Sequence, residues 1–348
     1  MDQCTNCFKL DDINRNYTDK DLIGEGANKK VYKVFSSDSI RSLALVVYKP
    51  GKYTNIFFEN ELFFLNNSEY KHPNIITLYD FDEVKKEFLM ECGGTGNLRY
   101  FIRNCRNKRI QRNKVEKATT LSKKIDYLIT ILSIIVFLHD KNIILRDLKP
   151  DNLIFVRGVL KLIDLESLII IPKDKTYVKD GSFSMTIPYV DPAIYGSKLS
   201  DENGICYYAC YLENDIYSIA TLIFYVIYEN DFFYKFVENK VLESKDPEFL
   251  SEEKDLVKSV KNILEDFNKI KKIMKKYLLN QGERLNLNEI DFFYKGLEDL
   301  SVKDRINNLI EKCWGFILDR PSAKEILAEL IEIKKIVDDK IKKKKYKN

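Results

Sequence analysis

The chain has 348 residues, 45% of them hydrophobic and 12% aromatic, enough to bury a sizeable core and too apolar for a disordered chain. Its 57 basic and 53 acidic residues leave a net charge of +4, too balanced for a whole-protein nucleic-acid or membrane footprint. Seven scattered cysteines, an odd number, and the polar, acidic opening MDQCTNCFKLDD, which lacks the features of a signal peptide, point to a reducing intracellular compartment.

Residues 1–16 read as an N-terminal extension. Within it the Cys4-x-x-Cys7 pair suggests zinc, but no second pair or histidine cluster lies nearby and the chain has only His72 and His139, so an unliganded terminus is expected. From 17 to 92 short β-branched and aromatic runs such as VYKVF and LALVVYK alternate with Gly, Ser, Asp and Pro, which predicts strands. One helix interrupts them at 56–66, around ELFFL. After GGTG at 93–96 the pattern turns helical, and in the segment 122–139 Ile125, Leu128, Ile129, Leu132 and Val136 share one face.

Residues 103–124 hold nine Lys or Arg and one acid, Glu116, without an apolar stripe, which predicts an insertion or exposed loop. The uncharged run YLITILSIIVFLH at 127–139 is shorter than the roughly 20 residues of a membrane helix and reads as buried in a folded domain, with no transmembrane segment. A second charged, helical insertion runs over 238–299, and 336–348 form a lysine-rich tail. The basic stretches are read as solvated faces, with contact to an anionic membrane or nucleic acid as the alternative.

In NIILRDLKPDNLIF, residues 142–155, apolar flanks enclose Arg146, Asp147, Lys149, Asp151 and Asn152. The flanks call for burial, so the polar centre must leave the core on a loop with a task beyond solvation. With GEGANKKV at 24–31, Lys49 closing a strand, Glu61 on a helix and KLIDLE at 161–166, the ordered set resembles the eukaryotic-type protein kinase family over residues 20–335. The resemblance implies an α+β, bilobal fold: a β-rich N-lobe over 17–92 with one main helix, and a larger, mostly helical C-lobe over 93–335.

It also implies ATP and Mg²⁺ as cofactors, protein hydroxyls as substrate, and catalysis by positioning and charge neutralisation. Gly24 and Gly26 would let a turn lie close over the phosphates, Lys49 would reach the α- and β-phosphates, and Glu61, preferred over Glu59, would pair with Lys49. Asp147 would accept the substrate proton, Lys149 would contact the transferred phosphate, and Asn152 and Asp164 would bind metal. Lys149 followed by Pro150 resembles the serine/threonine version. Val31, Val47, Met90 as gatekeeper, Glu91, Cys92 and Ile154 would surround the nucleotide.

Thr186, in TIPYVDP at 186–192, would hydrogen-bond Asp147 and Lys149, and Asp215 and Arg320 match anchors of the helical lobe. Arg146 would form a basic pocket for a phosphate on the activation segment, 164–192, with Thr176, Tyr177, Ser182 and Ser184 as acceptors.

Several positions depart from the family pattern. Lys29 stands at the third loop glycine, where it adds a cation near phosphate, and Val47 is bulkier than the usual alanine. Leu145 replaces a histidine, and an apolar stack with Leu165 and Leu65 would keep that packing. Glu166 replaces a glycine, so a strained backbone is expected there, and its carboxylate would either weaken the Mg²⁺ binding geometry or add a ligand. Ala193 replaces a glutamate, leaving Arg320 without its usual acid unless another takes the place. An active serine/threonine kinase is expected because the phosphate-handling residues remain. A pseudokinase that holds a partner is the alternative, and a small-molecule acceptor is disfavoured by TIPYVDP.

Overall fold

The structure is a computed structural model that describes residues 8–37, 41–94, 96–112, 120–180, 186, 189–191, 193–196, 198–200, 206–229 and 300–345. Cys4, Cys7, Ser182, Ser184 and the stretch 238–299 lie outside the described residues. The architecture is α+β, and contacts divide the chain into two compact units. One comprises the described residues up to Phe101 together with Pro150–Ile169; the other comprises Ile102–Lys149 and the described residues from Ile170 onward.

The first unit is built on β1 (Leu22–Glu25), β2 (Lys29–Phe35), β3 (Ser42–Tyr48), β4 (Leu78–Asp82) and β5 (Glu87–Glu91), an antiparallel sheet in the order β1-β2-β3-β5-β4. Period-two alternation gives the sheet two apolar faces. Leu43, Leu45 and Val34 point to one, where Leu10, Ile13 and Leu89 complete a cluster flanked by Phe8, Tyr17, Tyr32, Val47 and Tyr79. The extension around Leu10 and Ile13 is therefore core: the Leu10 amide donates to Asp80 Oδ2 at 2.9 Å, and Ile13 bridges Ser36.

Residues 44, 46 and 48 point to the opposite face with helix α1 (Thr54–Asn66), whose Phe58 stacks on Phe88 with ring centroids 4.5 Å apart. The hairpin β7 (Leu153–Val156) and β8 (Val159–Leu162) completes this unit. Gly93 packs against it so closely that a Cβ would meet Ile154 Cδ1 at 2.8 Å.

Helix α2 (Leu98–Arg112) follows β5. The basic run expected to be an insertion or exposed loop is helical through Arg112, continuing a helix whose first turns bury Leu98 and Ile102, and its Arg, Lys and Gln residues favour that state. The second unit carries α3 (Leu121–His139), strand β6 (Ile143–Ile144), β9 (Ile169–Ile170), the sheet β10-β12-β11 formed by Val178–Asp180, Cys206–Cys210 and Lys198–Ser200, and helices α4 (Ala193–Gly196), α5 (Leu212–Tyr228), α6 (Leu300–Cys313) and α7 (Ala323–Lys345).

The buried apolar residues of α3 are Ile125, Leu128, Ile131, Leu132, Ile134, Ile135 and Leu138, whereas Ile129 and Val136 are only partly buried. Lys124, fully buried on α3, pairs with Glu229 at 3.0 Å and donates to the Ile227 carbonyl at 2.7 Å. Helix α5 is buried along nearly all its length, which suits its central place. The lysine-rich end is not a separate tail: α7 continues through it to Lys345. No helix among the described residues is long and apolar enough to cross a membrane.

Candidate active site

In the first unit, antiparallel pairing sets Lys29 of β2 directly opposite Tyr48 of β3, and Val31 opposite Val46. Directly opposed residues share a face, so Lys29, Val31, Val46 and Tyr48 point the same way, toward α1. Lys49 and Val47 are out of phase with them. Lys49, the expected partner of Glu61, instead pairs with Glu25 at 2.6 Å and donates to the Gly26 carbonyl at 2.7 Å. Val47 packs on the outer cluster, and Val46 holds the inward position expected for it. Both corrections have one cause: a slip of one residue in a strand reverses every side chain.

Glu61 on α1 is buried and meets Lys29 at 2.6 Å. Its other oxygen, Oε1, accepts the Leu165 amide at 3.0 Å, while the Tyr48 hydroxyl donates in a short hydrogen bond to Oε2, the oxygen that Lys29 meets. Lys29 also lies 2.7 Å from Asp164 and 3.2 Å from Glu166, with its Nζ 5.2 Å from the centre of the Tyr48 ring. Burial alone would lower the Lys29 ammonium, but Asp164, Glu61, Tyr48 and Glu166 outweigh it and hold the lysine well above its usual value. Burial, reinforced by Glu61, pushes the Tyr48 phenol far up, so it remains a neutral donor. Burial also pushes the Glu166 carboxyl up, while Lys29 draws it back.

The backbone strain expected at Glu166 lies at Asp164 instead, whose φ of 66° is in the left-handed region. Glu166 avoids left-handed backbone and is clamped by α1 and the loop: Asn60 Nδ2 donates to the Glu166 and Leu168 carbonyls at 2.8 and 2.9 Å, and Asn28 Nδ2 to Glu166 Oε1 at 2.7 Å. Asn152 and Asp164 flank β7 and β8 at the same end of that antiparallel hairpin, where the Ile163 amide donates to the Asn152 carbonyl at 2.9 Å. The buried Asp164 Oδ1 accepts no aligned hydrogen bond, and one carboxylate oxygen each of Glu61, Asp164 and Glu166 lies within 4.8 Å of the others.

Gly24 and Gly26 adopt no left-handed backbone, and a Cβ on either would meet nothing closer than 3.7 Å. The chain's own packing therefore does not require glycine at either position. Met90 is buried opposite Ala44, and the Glu91 amide donates to the Thr77 carbonyl at 3.1 Å. The Glu91 carboxylate accepts the Thr77 amide at 2.8 Å and pairs with Lys161, so its N–H and side chain both serve the sheet.

In the second unit, Lys149 Nζ lies 2.5 Å from Asp147 Oδ2 and 2.8 Å from Thr186 Oγ1, whose hydroxyl donates to Asp147 Oδ1 at 2.9 Å. Buried Asp215 fixes this loop from below, accepting the Leu145 amide at 2.7 Å, the Arg146 amide at 2.8 Å and a contact from His139 Nε2 at 3.1 Å. Arg146 itself has φ 68°, and the Asp147 amide donates back to the Leu145 carbonyl at 2.9 Å across it. Leu145, Leu165 and Leu65 are all buried. Thr176 is exposed and Tyr177 half-buried beside Tyr211.

Arg320 keeps an acid: Asp191, two residues before Ala193, takes its fork at 2.5 and 3.2 Å. Sequence reasoning missed Tyr48, Val46, Asp180 and Asp191. Strict alternation through LALVVYK would have exposed the first two had Tyr48 rather than the lysine been taken as inward.

A sequence model of the protein kinase domain matches residues 17–330. The chain is 27% identical over 212 residues to the dual specificity protein kinase TTK of Mus musculus, covering 59% of this chain and 23% of that protein. It is 29% identical over 216 residues to the serine/threonine-protein kinase mph1 of Schizosaccharomyces pombe, covering 60% and 30%. To the serine/threonine-protein kinase ATG1 of Kluyveromyces lactis it is 26% identical over 235 residues, covering 60% and 28%. The matches thus span under a third of each relative's own length.

Proposed function

Because the chain belongs to the protein kinase family, we propose that it is an ATP- and Mg²⁺-dependent serine/threonine protein kinase that transfers the γ-phosphate to protein hydroxyls. The observation that carries this reading is the closed set of Asp147, Lys149 and Thr186, all within 2.9 Å of one another through the atoms named above. Asp147 accepts the proton of the attacking hydroxyl, and Lys149 places a point charge beside the incoming phosphate. Thr186 holds both side chains in register, which fits a serine or threonine substrate.

The donor set suits Mg²⁺, a hard cation that takes oxygen ligands and keeps several waters. Asp164, whose Oδ1 lies 2.7 Å from Lys29 Nζ without accepting an aligned hydrogen bond, and Asn152 at the same hairpin end would hold it. Bound there, Mg²⁺ supplies neutralisation of the phosphate charge. The turn with Gly24 and Gly26 leaves room for a ligand to lie close, since no side chain projects from either glycine and the Gly26 amide is tied back to the Lys29 carbonyl at 2.9 Å.

A second reading, a domain that holds a partner without phosphotransfer, draws on one observation: Glu166 adds a third carboxylate to Lys29, which already faces Glu61 and Asp164.

The deciding experiment is ³²P transfer from labelled ATP with Mg²⁺ to the protein and to generic protein acceptors, beside Asp147→Asn, with melting recorded with and without nucleotide. Transfer lost by at least about 100-fold in Asp147→Asn is expected. A nucleotide at about 100 times its dissociation constant adds roughly 2.7 kcal/mol to stability. A melting shift without transfer would favour the second reading, as a nucleotide-binding domain without phosphotransfer.

A further inference from the structure

Phosphoryl transfer in this reading needs a cation aimed at the nucleotide phosphates and braced by Glu61, and strand alternation turns Lys49 of β3 away from that position. We propose that Lys29 of β2 is the phosphate-contacting lysine of this protein, with Tyr48 standing in β3 where the family carries its own; this rests on the kinase reading above.

Lys29 and Tyr48 are directly opposed across β2 and β3. Opposed residues on one face have Cβ atoms only about 5 Å apart, so a long side chain from either strand reaches the same point. Lys29 reaches it. Its Nζ meets Glu61 at 2.6 Å, the bracing partner that the family resemblance assigns to the lysine of β3, and Asp164, the metal-binding acid, at 2.7 Å.

Tyr48 fills the space left behind. Its ring lies under the ammonium and its hydroxyl donates to the same Glu61 oxygen, so the carboxylate is held from two sides. Glu166 adds a third anchor at 3.2 Å and is itself oriented by Asn28, the residue before Lys29. The lysine is thus fixed at its base by the loop and at its tip by three acids.

Lys49 has a different place. It is about one-third exposed, binds the Glu25 carboxylate and the Gly26 carbonyl, and its amide donates to the Asn28 carbonyl at 2.8 Å. Those contacts close the β1–β2 turn from outside.

The test measures kcat and KM for ATP, and the melting shift given by MgATP, for the wild type, Lys29→Met, Lys49→Met and the double variant Lys29→Gly/Tyr48→Lys. Removing a preorganised charge at a transferring group costs on the order of 100-fold or more, so Lys29→Met is expected to lose about that in kcat/KM and most of its nucleotide-dependent shift. Lys49→Met is expected to stay within about fivefold of the wild type. The double variant, which returns an ammonium from the opposed position, is expected to recover at least about tenfold over Lys29→Met.

A folded Lys29→Met that keeps wild-type kinetics would overturn the inference, as would loss confined to Lys49→Met. If Lys29→Met does not fold, the double variant decides: folded and active supports the relocated lysine, folded and inactive refutes it. A wild type with a nucleotide shift but no transfer is read by that shift alone, in the same variants and in the same sense. A wild type with neither signal removes the kinase reading and this inference together, whereas an active wild type indifferent to Lys29 removes only the inference.

Discussion

Arg146, the residue before Asp147, donates to the carboxylate of Asp180 on β10, and both side chains are largely buried. The basic pocket expected to receive a phosphate is therefore filled by an acid of the chain itself. Asp180 is held in place by pairing with Tyr208 in the β10-β12-β11 sheet, so the carboxylate arrives on a strand rather than on a free loop. A phosphate orders such a segment by pairing with arginine, and an aspartate already there performs the same pairing with a smaller charge.

The expected outcome is that phosphatase-treated protein keeps its activity, and that Thr176→Ala with Tyr177→Phe stays within a few-fold of the wild type. Asp180→Asn, which leaves Arg146 facing a neutral group, is expected to cost about 3 kcal/mol and to raise hydrogen exchange at 178–180. Equal losses from the Thr176 variant and from Asp180→Asn would count against a built-in acid.

The Arg320 to Asp191 pair gives a second prediction. Asp191 is 1% exposed and Arg320 is shielded to a similar degree, and each has further partners. Arg320 donates to the Glu213 and Gly315 carbonyls at 2.8 and 3.0 Å, while Asp191 accepts from Asn214 Nδ2 at 2.7 Å and from the Ala193 amide at 2.9 Å. Removing one member of such a pair strands a buried charge, so Asp191→Ala is expected to destabilise the protein by about 3–5 kcal/mol in denaturant or thermal melting. Adding Ala193→Glu should not restore it, because the guanidinium fork is oriented by Glu213 and Gly315 toward 191. Rescue by that second change would show that the acid's position is not fixed.

Much of this was legible in the sequence. The order of the motifs carried the two-part α+β fold, because each motif needs a loop held between apolar flanks of strand or helix. Asp147, Lys149 and Thr186 meet where the resemblance put them together. What stayed hidden depends on phase and on distance along the chain. LALVVYK reads equally well with either set of alternate residues inward, and only the partner strand and α1 decide that Tyr48 faces Glu61. Asp180 and Asp191 find Arg146 and Arg320 across 34 and 129 residues, separations that no local pattern encodes. The run 103–112 is helical because it continues a helix whose first turns bury Leu98 and Ile102, and its Arg, Lys and Gln residues favour that continuation.

His72 provides a pH prediction. Its half-buried ring accepts the Asn74 amide on Nδ1 at 3.1 Å, and Asn74 in turn donates to the Leu160 carbonyl at 2.9 Å and accepts the Leu162 amide at 2.7 Å, tying this turn to β8. Burial lowers the His72 imidazolium below the usual histidine value. The folded protein therefore prefers the neutral ring. The stability this confers is present above the unfolded value of about 6.5 and is lost as pH falls through it toward the lower folded value. Protonation of Nδ1 would also remove the acceptor for Asn74. The melting temperature is expected to fall between about pH 7 and about pH 5, and His72→Asn should reduce that slope. Asparagine can accept the same amide two residues on, as an Asx-turn, without titrating. Parallel pH profiles for the two proteins would show that His72 carries none of the acid sensitivity.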